Sequence, residues 1–97
     1  MTMINLTDLI PITHGEARIH VDAKRVKSHA TGYEVRYRGI VKVEFPRSPQ
    51  ANYTIKVEGD AYRITDADAT ADAIALRKEL IDQNHFPKTA ADALALK

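Results

Sequence analysis

Tyr33-Glu34-Val35-Arg36-Tyr37-Arg38-Gly39-Ile40-Val41-Lys42-Val43-Glu44-Phe45 is the stretch whose reading decides the fold. Its odd positions are apolar or glycine, and its even positions are charged except Ile40. Alternation of this length specifies a long strand, one face in a core and the other turned to solvent or a partner. Upstream, Ala17, Ile19, Val21 and Ala23 alternate with Glu16, Arg18, His20, Asp22 and Lys24. Residues 16–27 therefore read as a second long strand, reached through a turn at Gly15 and joined to the first by a loop over 29–32. Matching apolar faces pairs Ala17 with Val43, Ile19 with Val41, Val21 with Gly39 and Ala23 with Tyr37. The match fails at Arg25 and Val26, and one extra residue near Lys24-Arg25 restores it, so a β-bulge is predicted there.

Length sets a further condition. A straight strand over 33–45 spans roughly 43 Å at ~3.3 Å per residue. A compact chain of this size has a radius of gyration of about 12–13 Å. The strand must bend, most easily at Gly39, or project as an arm; bending is the first expectation.

Outward from this hairpin, residues 9–13 read as a short edge segment blunted by Pro11. Tyr53, Ile55 and Val57 alternate, and Tyr62 and Ile64 resume on the opposite parity. A two-residue turn at Gly59-Asp60, with positive φ at Gly59, would join them as a second hairpin. It sets Val57 across from Tyr62, Ile55 across from Ile64, and Lys56 against Arg63. Pro46 and Pro49 bracket the loop between the hairpins. Over 66–84 the period becomes helical, with Ala69, Ala73, Ile74, Leu76, Leu80 and Ile81 on one face and Arg77 in its middle. For Arg77 the expectation is a packed stem with its guanidinium at the rim, or else a buried pair with an acid. His85-Phe86-Pro87 ends that helix, and Thr89 caps a last short one over 90–96. The fold class is α+β: a four- to five-stranded antiparallel meander with one main C-terminal helix on its apolar face and a short terminal helix. Residues 1–97 read as a single domain.

The chain has 97 residues, a net charge of +1 and no cysteine. Disulfides, thiolate nucleophiles and Cys-ligated metal sites are thereby excluded. Residues 1–12 lack the positive leader and long apolar core of a signal peptide, and no apolar run suggests a membrane span. A cytoplasmic protein that does not enter membranes is expected. Basic character is local: eight Lys and Arg against three acids between Arg18 and Arg47.

That excess nominates the charged sheet face, with Arg18, Lys24, Arg36, Arg38 and Lys42 as the partner-binding residues. In the register above, Arg18 opposes Lys42 and Lys24 lies near Arg36, like-charge contacts that an anion would relieve. Asp22 facing Arg38 and Lys27 facing Glu34 offset part of that charge, which favours a solvated, self-neutralised face. The tyrosines at 33, 37, 53 and 62 fall on the opposite parity, among the Val and Ile residues. They therefore read as core and core-rim side chains rather than a base-stacking platform. The four histidines lack metal-ligand spacing, so no metal or other cofactor is expected. Ser28 and Ser48 lack a nucleophile-elbow context, and no glycine-rich phosphate loop occurs.

The reading that follows is a non-enzymatic binding module acting through protein–protein interaction, as a small subunit, adaptor or inhibitor. A nucleic-acid binder using the basic hairpin 18–47 comes second, and a small enzyme third. A homodimer is also expected, its contact away from the Pro11 edge, because a small meander leaves a free edge and a marginal core.

Overall fold

The alternating stretches form the two long strands of the sheet. The computed structural model describes residues 4, 6–28, 34–48, 50 and 55–95. A 3₁₀ turn at Leu6–Leu9 precedes β1 (Ile12–His14), β2 (Ala17–Ser28), β3 (Glu34–Glu44) and β4 (Lys56–Glu58). Two helices follow, α1 (Asp66–Asp82) and α2 (Ala90–Ala95). The four strands make one antiparallel sheet in the order β1-β2-β3-β4, so the α+β meander with a main and a short helix is as predicted. No described helix is long and apolar enough to cross a membrane.

The register of the long hairpin differs from the predicted one by two residues. Ile19 pairs with Val43, Val21 with Val41, Ala23 with Gly39 and Arg25 with Tyr37, and the ladder runs unbroken to Ser28 and Glu34. A two-residue shift keeps every side chain on its face, so alternation alone could not distinguish the two registers. The predicted bulge at Lys24-Arg25 is absent. Its premise was that Val26 must face a core, and here there is no core to face. The fully buried residues of this hairpin are Ala17, Ile19 and residues 39–41 and 43, all at one end. Beyond Gly39 the two strands carry no buried side chain among the described residues. The body measures 43 × 28 × 22 Å with a radius of gyration of 14.3 Å, above the ~12.5 Å of a compact chain. Extents and burial both describe a projecting arm.

Gly39 consequently does something other than bend the strand. It is the point where α1 crosses β3: a Cβ built there would lie 2.5 Å from the Ala69 carbonyl oxygen and 2.8 Å from the Ala73 nitrogen. Ala69 and Ala73 are themselves fully buried, and small residues on both elements let the two backbones approach.

The second hairpin does not form. Gly59 donates its N–H to the Gly39 carbonyl at 2.8 Å, and Arg63 exchanges both backbone hydrogen bonds with Tyr37. The chain thus runs on along β3 after β4, with Asp60–Tyr62 bulged out between two points of attachment. Gly59 has no positive φ; among the described glycines only Gly15, in the β1–β2 turn, does at +67°. The parity flip leaves Tyr62 and Ile64 exposed at 57% and 73% instead of returning them to the core. Tyr33 and Tyr53 lie outside the described residues. The bulge sets Arg63 on the helix side, where its Nε and Nη2 donate to Asp72 of α1 at 2.6 and 3.1 Å.

Both helices are capped as their sequences require. Thr65 Oγ1 accepts from Asp68 N–H at 3.2 Å and Thr89 Oγ1 from Asp92 N–H at 3.1 Å. Asn84, at φ +54°, stops α1, with its own N–H on the Ile81 carbonyl and His85 N–H on Leu80. The core packs Ile19, Val41, Val43 and Phe45 of the hairpin against Leu80, Phe86, Ala90 and Ala93. Leu80 is 8% exposed while Leu76 is only partly buried, so the buried stripe runs through Ala69, Ala73, Arg77 and Leu80. Leu80→Ala is expected to cost about 2–3 kcal/mol in urea denaturation, the lower part of the core-leucine range, because the site lies near a helix end. A loss under ~1 kcal/mol would place Leu80 outside the core.

Arg77 neither reaches the rim nor pairs with an acid. It is 2% exposed, and its Nη atoms donate to the carbonyls of Asp8 at 2.5 Å, Ile10 at 3.3 Å and Ile19 at 3.1 Å. Burial lowers its pKa, and the nearby Asp8 charge partly offsets that. One guanidinium therefore joins α1 to β2 and to the segment that crosses in front of β1.

Candidate functional site

The side of the sheet away from α1 carries the nominated residues. β2 and β3 put Lys24 directly opposite Arg38, Arg36 opposite Val26, Lys42 opposite His20 and Arg18 opposite Glu44. Lys24 and Arg38 are drawn together by a residue that the sequence reading missed. Glu58, at the end of β4, receives Lys24 Nζ at 3.1 Å on Oε1 and Arg38 Nη1 at 3.3 Å on Oε2. The Lys24 hydrogen bond, then the charges of Lys24, Arg38 and Lys56, hold the Glu58 carboxyl below the usual carboxylate range against some desolvation. Arg38 Nε also donates to the Gly59 carbonyl at 2.9 Å, which fixes the plane of its guanidinium.

A second missed residue is Tyr62, whose ring centre lies 4.9 Å from the Arg38 guanidinium. For Tyr62 this corrects the expectation that the aromatics and the bases occupy opposite faces: it stands beside the charged face, half exposed, in cation–π contact with a nominated base. Tyr37 keeps the predicted side, half-buried on the strand face toward α1.

The other nominated residues are spread out. Arg36 lies next along the arm and donates to the Val35 carbonyl at 3.0 Å. Lys42 is 3.5 Å from Asp22, and His20 Nε2 is 3.6 Å from Glu44. Arg18 sits at the far end, in an open cleft of about 300 Å³ that also holds Arg47 and Glu16. The face is therefore not one continuous basic surface: carboxylates partner Lys24, Arg38 and Lys42.

Charge concentrates instead on the arm. Residues 21–28 and 34–38 hold five bases (Lys24, Arg25, Lys27, Arg36, Arg38) against Asp22 and Glu34. Arg25 and Lys27 are exposed and make no ion pair among the described residues. They fall on the parity of the apolar positions, which hid them from a reading confined to the charged face. Among the described residues no three His, Asp or Glu side chains converge as metal ligands would. Comparison of the chain with protein-family models, with curated proteins and with solved structures gives no match.

Proposed function

We propose that this chain is a non-enzymatic binding module whose basic hairpin arm engages the phosphate backbone of a nucleic acid. The observation that carries this is the arm itself: a two-stranded projection with no fully buried side chain among the described residues, five bases to two acids, with Tyr62 beside its base. A projection outside the buried core adds less to stability than the rest of the hairpin, and its composition suits a polyanion. Placement of the aromatics on the face opposite the bases, which weighs against a nucleic-acid partner, does not hold for Tyr62, which stands beside Arg38. Exposed aromatics next to bases let a protein combine stacking with phosphate contact. Glu58 restrains the site, sharing one negative charge between Lys24 and Arg38.

Fluorescence anisotropy with labelled duplex and single-stranded oligonucleotides tests this. About four phosphate contacts should cost roughly a hundredfold in affinity between about 50 and 200 mM salt. Replacing Lys24, Arg36 and Arg38 together by Ala should flatten the log–log salt slope by about 2–3. Glu58→Gln should tighten binding several-fold, because it frees two cations. No binding at 50 mM salt, or a Glu58→Gln variant that binds no better than the parent, would overturn the reading. A protein partner is the second reading, favoured by the aliphatic side chains that the N-terminal segment leaves in solvent.

A further inference from the structure

We propose that the N-terminal edge of the sheet is a two-fold interface with a second copy of this chain. Leu6, Leu9, Ile10 and Ile12 are 77%, 43%, 61% and 41% exposed, four large aliphatic side chains within seven residues. Such a concentration marks a contact surface, whereas scattered single exposures do not. Beside it, between β1 and α1, an apolar cleft of about 250 Å³ is walled by Ile12, Ile74 and Ile81. Asp8, Lys78 and Asp82 stand at the same cleft, and none of their side chains makes an ion pair among the described residues.

The patch thus holds projecting aliphatics, a cleft to receive them, and charges of both signs. Of these, Lys78 and Asp82 make no ion pair among the described residues, while Asp8 acts at longer range on Arg77. A surface that contains both halves of a joint fits its own copy across a two-fold axis. In that arrangement Ile10 of one copy fills the cleft of the other, and Lys78 meets the other copy's Asp8 and Asp82. The sequence expectation set any dimer contact away from this edge because of Pro11. Pro11 and the three-residue length of β1 do rule out an extended strand-to-strand ladder. They leave side-chain packing untouched, and packing is what the exposed aliphatics offer. The surface lies at the opposite end of the hairpin from the basic arm, so this inference stands independently of the nucleic-acid reading.

Light scattering and sedimentation equilibrium over a concentration series test it on the full chain. A mass approaching twice the 10.8 kDa monomer is expected, with a dissociation constant on the order of 10 µM, the weak end for a small patch. Ile10→Asp changes a residue already in solvent, so the fold should survive, as circular dichroism would report. It should raise the constant at least about tenfold, since it places a charge in an apolar pocket. Lys78→Glu alone should be monomeric, and mixing it with an Asp8→Lys, Asp82→Lys double variant should restore a dimer. A monomer mass at roughly 200 µM, a constant unmoved by Ile10→Asp, or a mixture that stays monomeric would each overturn the inference.

Discussion

Gly39→Val is expected to remove at least about 4 kcal/mol of stability, a large part of the ~5–15 kcal/mol that a chain of this length possesses. Two effects oppose each other at this position. Valine gains about 1 kcal/mol of strand preference over glycine, since glycine is entropically costly in a strand. Against this, even a single added carbon meets backbone atoms of α1 at 2.5 and 2.8 Å, and a third contact, Ala73 Cβ, at 3.1 Å. Backbone inside a helix cannot rotate aside as the tip of a side chain can. The helix would have to lift off β3, opening the contact that buries Ala69 and Ala73. Overpacking typically costs 1–3 kcal/mol where neighbours are side chains; rigid backbone on the far side and two further methyl groups push the cost beyond that. Gly39→Ala should cost about 2–3 kcal/mol by the same argument. Guanidinium denaturation provides the measurement. A valine variant as stable as the parent would mean that α1 does not approach β3 this closely.

The strand pattern was legible because burial of one face imposes period two, and β2 and β3 obey it through their buried halves except at Ile40, which is buried on the other face opposite β4. What alternation cannot specify is register to within two residues, and there the predicted pairing slipped. Val26 misled the reading in a related way. An apolar residue out of phase suggests a bulge only if that part of the strand has a core, and the arm does not. The Gly59-Asp60 pair has the chemistry of a hairpin turn, yet β3 is long enough to hold both β4 and Arg63 along one edge. A long neighbouring strand with free hydrogen-bonding groups outweighed local turn preference.

Of the five residues nominated from charge on alternate positions, the structure gathers Lys24 and Arg38 around one carboxylate with Arg36 next along the arm, and leaves Arg18 and Lys42 apart. Glu58 and Tyr62 were not legible in the sequence, because both reach the basic residues through the pairing of β4 and the bulge after it. A reading that placed residues 56–58 against β3 would have found Glu58, since Ile40 then faces it with Arg38 one step away on the same face. The expected like-charge pairs changed partners with the register: Arg18 opposes Glu44 instead of Lys42, while Lys24 opposes Arg38 instead of lying near Arg36, and the two take a shared carboxylate. That shared carboxylate makes Glu58→Gln more informative than any single truncation of a base, because its expected effect is a gain.

Arg77→Met should cost about 3–5 kcal/mol, even though methionine fits the same apolar stem and the parent side chain carries a buried charge without a carboxylate partner. Replacing a buried ion pair by hydrophobic residues is often neutral, because both charged groups leave together. Here the acceptors are the main-chain carbonyls of Asp8, Ile10 and Ile19, and no side-chain substitution removes them. Each carbonyl that loses a charged donor forfeits about 1.5–3 kcal/mol, less whatever water restores at Asp8 and Ile10, which lie nearer the surface. The Nε hydrogen, buried without an acceptor, already counts against the arginine, and its removal returns part of the loss. The net still favours arginine, since three charge-assisted bonds outweigh one unmet donor. Arg77→Lys should fall between, because a single ammonium cannot reproduce a planar fork aimed at three separate carbonyls. The loss should also be local. Hydrogen exchange in residues 8–14 should accelerate more than in β3, because that segment depends on Arg77 for two of its contacts with the body. Uniform acceleration throughout the sheet would show Arg77 to be a core-filling side chain and not the clamp that holds the N-terminal segment in place.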